Sequence, residues 1–286
     1  MRFQVVLGLF NRGAAAATPR TGKGDRVYCI GDIHGRFDLF RVALDRIEAH
    51  HAQRPKPRQI YVVLLGDLID RGPDSAKVLH LVHKVQARTQ QMIVLRGNHE
   101  EMMIRVIDGE PGVMRAWLKS GGMDTLRSLG IQPPVDSHDT ARVVAELRQR
   151  LPQEIIDWLR ALPLTAQSGD YLFCHAGVRP GVPIKKQARD DLLWIREEFL
   201  GSTRDHGAVI VHGHSVSAEL EMRPNRIGID TGAYMSGVLS VLYLEDELRE
   251  VISIRESDLG GADADDGVFD LMPPGASVTG GKAGIA

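Results

Sequence analysis

An α/β fold is predicted by three features of the chain. Continuous apolar stretches of strand length recur at 27–30, 60–65 and 92–95. Each ends in a glycine-bearing polar turn, and each is followed by residues of helical period. Strands that are apolar without alternation are covered on both faces, and strands alternating with helices build such covered sheets. Functional residues of these folds gather just beyond the carboxyl ends of the strands.

The elements follow in order. Residues 1–25 are expected to be a leader, rich in Gly, Ala and basic residues from 11 onward. Its apolar stretch Val5 to Phe10 is too short for a signal segment, although Ala14 to Ala17 faintly resembles a cleavage site. The chain has no apolar run of 18 residues, so a cytoplasmic protein with no membrane partner is expected. A single domain is expected over 26–255. It opens with the strand Val27-Tyr-Cys-Ile30, and Phe37, Phe40, Leu44 and Ile47 then mark an amphipathic helix over 37–50. After Pro55 and Pro57, Ile60 to Leu65 is the second strand. Val78, Leu81, Val82 and Val85 mark the second helix, and Met92 to Leu95 the third strand.

Residues 101–165 read differently, as short helices broken by Gly, Pro and Asp, with Gly121-Gly122 separating two of them. Ligand-like residues lie on both sides of this stretch, which marks a helical insertion that partly caps the site. Further strands are expected at 171–174, 208–211, 227–229 and 237–244. The last turns through Glu245-Asp-Glu247 into a hairpin partner over 248–254. From 256 to 286 the composition shifts to Gly, Asp, Ala and Pro, a tail with little expected secondary structure. Its Asp263, Asp265, Asp266 and Gly267 lack the twelfth-position ligand of a calcium loop, where Pro274 stands.

Composition narrows the function. A formal charge of -2 leaves no general attraction for polyanions, and no basic stretch is interleaved with aromatics, so nucleic acid is not an expected partner. Two cysteines, Cys29 and Cys174, sit in apolar runs and read as buried thiols rather than a disulfide framework. Thr21-Gly-Lys-Gly24 and Gly280-Gly-Lys282 lack the spacing of a nucleotide-binding loop. Trp117, Trp158 and Trp194 are expected in cores.

The chemistry-bearing residues all follow apolar strands. Asp32 and His34 lie two apart after the first, where an extended chain would point both the same way. Asp67 follows the second, Asn98 the third, His175 the run 171–174 and His214 the run 208–211. A carboxylate has two oxygens and can bridge two cations about 3.5–4 Å apart. Mixed imidazole, carboxylate and amide ligation suits manganese, iron or zinc better than calcium.

Gly31-Asp-Ile-His-Gly35, Gly66-Asp-Leu-Ile-Asp-Arg-Gly72 and Arg96-Gly-Asn-His-Glu100, completed by His175-Ala-Gly177 and Gly213-His214, resemble the signatures of the calcineurin-like metallophosphoesterases. The resemblance is to their phosphoprotein phosphatase branch, in its bacterial form, and covers roughly residues 27–244. It implies a sandwich of two mixed sheets flanked by helices, and two divalent ions, manganese or an iron–zinc pair. Asp32, His34 and Asp67 would bind one ion, while Asp67, Asn98, His175 and His214 would bind the other. His99 would be the general acid, paired with Asp70, and Arg71 and Arg196 would grip the phosphate. Direct attack by metal-activated hydroxide, with no phosphoenzyme, is implied. Arg179 rivals Arg196 as the second clamp, and Arg36 is open between a third phosphate contact and a surface role. His212 reads as a core or supporting residue. Arg96 and Glu100 read as residues that order the loop.

The implied substrates are phosphoserine or phosphothreonine on proteins or phosphopeptides. The alternative is symmetrical dinucleoside polyphosphates such as diadenosine tetraphosphate. Small phosphoesters and phosphotyrosine are open, as is the oligomeric state. A non-catalytic scaffold is disfavoured because every ligand and the acid are present.

Overall fold

A computed structural model describes residues 18–134 and 139–260. Most of the expected leader and tail, with Asp263 to Gly267, lies outside the described residues. The first sheet has the order β10-β9-β1-β2-β3. Its centre is β1 (Asp25–Ile30), parallel to β2 (Gln59–Leu64), which is in turn parallel to β3 (Met92–Val94). On the other side β9 (Val238–Glu245) runs antiparallel and turns into the edge strand β10 (Leu248–Arg255). The register pairs Ile30 with Leu64 and Leu64 with Val94, so the three parallel strands end level. Their polar turns therefore emerge side by side.

The second sheet has the order β4-β5-β6-β8-β7. Parallel β5 (Tyr171–Cys174), β6 (Val209–His212) and β8 (Arg226–Gly228) are flanked by antiparallel β4 (Thr165–Ser168) and β7 (Glu221–Met222). Both sheets are mixed, as the family resemblance implies.

Strand alternation divides the core into layers. Val27, Cys29, Val63, Leu65, Leu242 and Leu244 from the first sheet meet Tyr171, Phe173, Val211, Ile227 and Ile229 from the second. Tyr28, Ile30, Val62 and Leu64 face the other way, against α1 (Phe37–Ala52) and α2 (Ser75–Gln86). Leu172, Cys174 and Ile210 pack on α8 (Arg189–Trp194) and α9 (Glu197–Leu200). Each fully buried aliphatic side chain in these layers contributes about 1.5–3 kcal/mol.

Between β3 and β4 the chain is helical: α3 (Asn98–Ile107), α4 (Val113–Trp117), α5 (Met123–Ser128), α6 (Thr140–Arg150) and α7 (Gln153–Ala161). A π-helical turn, Leu118–Gly122, joins α4 to α5, with Gly121 at φ +114°. The chain returns toward the second motif there: the Arg71 N–H donates to Gly121 O at 3.2 Å. A short helix α10 (Ala233–Ser236) lies between β8 and β9, and Glu256–Leu259 forms a 3-10 turn. Trp117 is buried and Trp158 half-buried, but Trp194 is 37% exposed rather than in a core. Leu192 and Leu193 take the buried face of the short α8, leaving Trp194 at its exposed end. Both cysteines are buried free thiols.

Candidate active site

The turns after β1, β2, β3, β5 and β6 meet in one place, and backbone geometry explains how. His34, Asp67, Asp70, Arg71 and His214 all have left-handed φ, between 47° and 73°. Asp246, in the β9–β10 turn, is the other such non-glycine residue among those described. The extended chain expected from Asp32 to His34 is therefore absent. Instead the N–H groups of Ile33 and His34 both donate to Asp67 O, at 3.1 and 2.8 Å, and this turn sets the His34 ring. Left-handed geometry is costly for residues with a Cβ and persists where surrounding contacts over-determine it.

Glu100 supplies much of that determination. Its carboxylate is fully buried and accepts from Asp67 N–H (2.9 Å), Leu68 N–H (2.8 Å) and Gly97 N–H (2.9 Å). The same residue caps the first turn of α3 and so ties the second motif to the third. Two glycines are required by close approach. A Cβ on Gly97 would stand 2.2 Å from Asp67 Oδ1, and one on Gly213 would stand 2.0 Å from Asp32 Oδ1.

Asp67 lies at the centre and is 2% exposed. Its Oδ2 faces His34 Nε2 at 3.5 Å and His99 Nε2 at 3.7 Å, while its Oδ1 faces His175 Nε2 at 3.5 Å. His34, Asp67 and His99 form one close set of ligand atoms, and Asp67, His175 and His214 form another. Asn98 Oδ1 is 2.7 Å from His175 Nε2 and 2.9 Å from His214 Nδ1. Asp32 is outside these close sets. Its Oδ2 accepts the His214 N–H at 3.0 Å, and its buried Oδ1 has no hydrogen-bond partner.

These residues fit divalent cations. His175 donates its Nδ1–H to Leu65 O at 3.0 Å, and burial pulls its pKa to about 3. The ring is therefore neutral, and the lone pair on Nε2 faces the oxygens of Asn98 and Asp67. His34 is oriented alike, with Nδ1–H donating to Ile69 O at 2.8 Å. Outer-shell carbonyls that fix a histidine tautomer in this way are typical of metal-ligating imidazoles. Burial also raises the carboxyls: Asp32 well above its usual value, with Asp230 and Asp67 adding to the effect, and Asp67 also upward. Crowded buried carboxylates and inward lone pairs are relieved by positive charge.

Beside this cluster, His99 Nδ1 meets Asp70 Oδ2 at 2.6 Å. Asp70 is fully buried and held by the Trp117 indole N–H (2.9 Å), the Thr125 hydroxyl and its own N–H to Ser75 Oγ (3.0 Å). Burial lowers the His99 pKa, Asp67 opposes that, and Arg71 and Arg196 reinforce it. Burial likewise raises Asp70, against the hydrogen bonds from Thr125 and Trp117. The carboxylate thus orients the ring, while the surroundings oppose holding it permanently charged. Arg71 reaches His34 Nε2 (2.9 Å) and His99 Nε2 (3.1 Å), and Arg196 Nε donates to His214 Nε2 (3.1 Å).

His34, Asp67, Asn98, His175 and His214 are thus brought together with His99, Asp70, Arg71 and Arg196, and Asp32 joins them through the His214 N–H rather than within the two close sets. Arg179 is instead tied to Asp191 and Glu198, and Arg36 to Asp38, Glu256 and Ala233 O. Arg96 braces Glu101 and Arg160 O. His212 is buried edge-on against Phe199. Sequence reasoning missed Asp230 and Tyr234, which sit beside Asp32 and over Arg71, respectively. Asp230 follows the predicted strand 227–229, and that position could have drawn attention to it. Tyr234 carried no such signal.

The match to known proteins follows this geometry. The model of the calcineurin-like phosphoesterases aligns with residues 25–237. The chain belongs to that family. It is a metallophosphoesterase hydrolase, of a family that uses divalent metals. Serine/threonine-protein phosphatase 1 of Salmonella typhimurium is 30% identical over 227 residues, covering 77% of this chain and 92% of that protein. Serine/threonine-protein phosphatase 2 of Escherichia coli is 29% identical, covering 75% and 90%. A symmetrical bis(5'-nucleosyl)-tetraphosphatase of Nitrosospira multiformis is 28% identical over 160 residues, which are 56% of this chain and 46% of that protein. Among solved structures, a putative diadenosine tetraphosphatase superposes with TM-score 0.56 at 19% identity, over 85% of this chain and 97% of its own, and shares the metallophosphoesterase fold. Among the described residues no helix is long and apolar enough to cross a membrane.

Proposed function

We propose that this metallophosphoesterase removes phosphate from phosphoserine and phosphothreonine on proteins, with a manganese pair as its preferred cofactor. The observation that carries the hydrolytic reading is Asp67, whose two carboxylate oxygens address different histidines. Asp32, His34 and Asp67 would hold one cation, and Asp67, Asn98, His175 and His214 the other. A cation pair, when bound, acidifies water and neutralises phosphoryl charge. Arg71 and Arg196 bind and orient the phosphate through planar guanidinium forks. His99 delivers a proton from Nε2 to the leaving oxygen, and Asp70 keeps Nδ1 protonated and the ring aimed. No residue of the chain is asked to form a phosphoryl intermediate.

The protein substrate is supported by two observations. The serine/threonine phosphatases align over nearly their whole length, the tetraphosphatase over less than half. A cavity of about 330 Å³ beside Arg196 is lined by Asp190, Asp191, Glu197 and Glu198 as well as Arg179, which pairs with Asp191 and Glu198, so its wall is acidic on balance and less favourable to a polyphosphate chain than to a single phosphate. Hydrolysis of symmetrical dinucleoside tetraphosphates is the second reading, favoured by the names of the shorter-matching relative and of the superposed structure. The test compares kcat/KM for a phosphothreonine peptide, a phosphotyrosine peptide and diadenosine tetraphosphate in manganese. The phosphothreonine peptide is expected to lead. A clear lead for the dinucleotide would replace the substrate and leave the metal site standing.

A further inference from the structure

Tyr234 belongs to none of the motifs, yet it touches the site from the β8–β9 connection, which also places Asp230 beside Asp32. It sits in α10, which is framed by left-handed Gly232 (φ +67°) and Gly237 (φ +68°). The segment is pinned by Gly232 N–H donating to Asp230 Oδ1 (2.9 Å) and by the Thr231 hydroxyl donating to Val238 O (2.8 Å). From this base the half-buried ring reaches two site residues. Arg71 Cζ stands 4.6 Å from the ring centroid, and the His34 ring meets it edge-on, with centroids 5.2 Å apart and planes at 84°.

Arg71 needs external support. Its backbone is left-handed, with φ +69°. Outside the histidines its side chain makes one hydrogen bond among the described residues, from Nε to Ser120 O at 3.3 Å. An aromatic face attracts a guanidinium across its plane and leaves the N–H groups on the edge for in-plane bonds to an anion. Held this way, a long side chain loses less freedom when a phosphate arrives.

We propose that Tyr234 is a positioning residue, which fixes the guanidinium plane of Arg71 for phosphate binding. The proposal rests on the reading of Arg71 as a phosphate ligand. Trp194 provides the comparison. It flanks the opposite histidine, His214, at a centroid distance of 6.3 Å, and among the described residues it has no cation–π contact with an arginine.

The test is a double-mutant cycle on the full-length, manganese-loaded protein, with inorganic phosphate affinity measured by calorimetry and KM and kcat by aryl phosphate turnover. Tyr234→Leu is expected to weaken phosphate binding and raise KM together, by roughly three- to thirtyfold. Tyr234→Phe keeps the aromatic face and restores most of that loss. In an Arg71→Ala background, Tyr234→Leu should change phosphate affinity by less than about twofold, while Trp194→Leu should cost the same factor in either background. Tyr234→Met replaces the leucine variant should that one not fold. Equal losses from Tyr234→Leu with and without Arg71, or a Phe variant as impaired as Leu, would overturn the proposal. Undiminished phosphate affinity in Arg71→Ala alone would remove its premise, the phosphate role of Arg71, and is read separately from the Tyr234 arms.

Discussion

Glu100 is the point at which a single atom change tests how the site is held. Its Oε2 accepts from the N–H groups of both Asp67 and Gly97, and Oε1 accepts from Leu68. In Glu100→Gln one of these positions becomes an NH₂ facing a backbone N–H. The least costly orientation keeps the oxygen on Asp67 and Gly97 and orphans the Leu68 N–H. A buried unsatisfied donor costs about 1–3 kcal/mol. Glu100→Ala orphans all three, before relaxation about three times that sum, which rivals the ~5–15 kcal/mol stability of a whole domain. Urea unfolding with metal in constant excess is the assay, because ligand binding itself shifts apparent stability. The glutamine variant should lose about 1–3 kcal/mol with an unchanged slope, and the alanine variant should lose more or fail to fold. Metal content should fall with them, since left-handed Asp67 loses its tether. A glutamine variant within about 0.5 kcal/mol of the parent and with full metal content would show that these three hydrogen bonds do not hold the site.

Three other outcomes are expected. Asp67→Asn should bind fewer than two equivalents of metal by elemental analysis and lose most activity, and retention of both ions at full rate would remove its bridging role. Replacing His99 with Asn should slow alkyl phosphate hydrolysis more than aryl phosphate hydrolysis, because an aryl leaving group needs little protonation; equal losses would mean that His99 is not the acid. Arg226, with Arg223 assisting, pulls Glu221 from its ordinary 4.5 to about 2, so its contribution to stability is present above pH 4.5 and lost as pH falls toward 2. Glu221→Gln should flatten that acid limb of the unfolding midpoint, and an unaltered limb would show that the ion pair does not couple to folding.

Much of the fold was legible because its determinants are local. The covered strands are continuous apolar runs, and each proposed ligand follows one, so strand ends and candidate site residues are legible together. The helices of 98–161 were legible only as a class, because their faces are set by packing on one another. Trp194 was misplaced for a related reason. In a six-residue helix, Leu192 and Leu193 already fill the buried face, and one more apolar residue has nowhere inside to go. Tyr234 left no trace because its meaning depends on Arg71, which is remote in sequence and adjacent only once β9 has returned beside β1.

The left-handed residues explain both the success and the gap. Sequence periodicity assumes regular backbone, and on that assumption Asp32 and His34 would share a face of an extended strand. The actual site places His34, Asp67, Asp70, Arg71 and His214 in a conformation that is costly for any residue with a Cβ, at about 1–2 kcal/mol each. Five such residues in one cluster are tolerable only because the surrounding contacts are dense: Glu100 under Asp67, Ser75 and Thr125 around Asp70, and Gly121 on Arg71. Glycine at any of the five would relieve the backbone but delete the functional side chain. The motifs therefore carry glycines beside these residues, at 31, 35, 66, 72, 97 and 213, where close approach rather than chemistry sets the requirement. What reads in the sequence as a signature is thus a record of where the backbone had to be crowded so that the six proposed ligands from five turns could face one another.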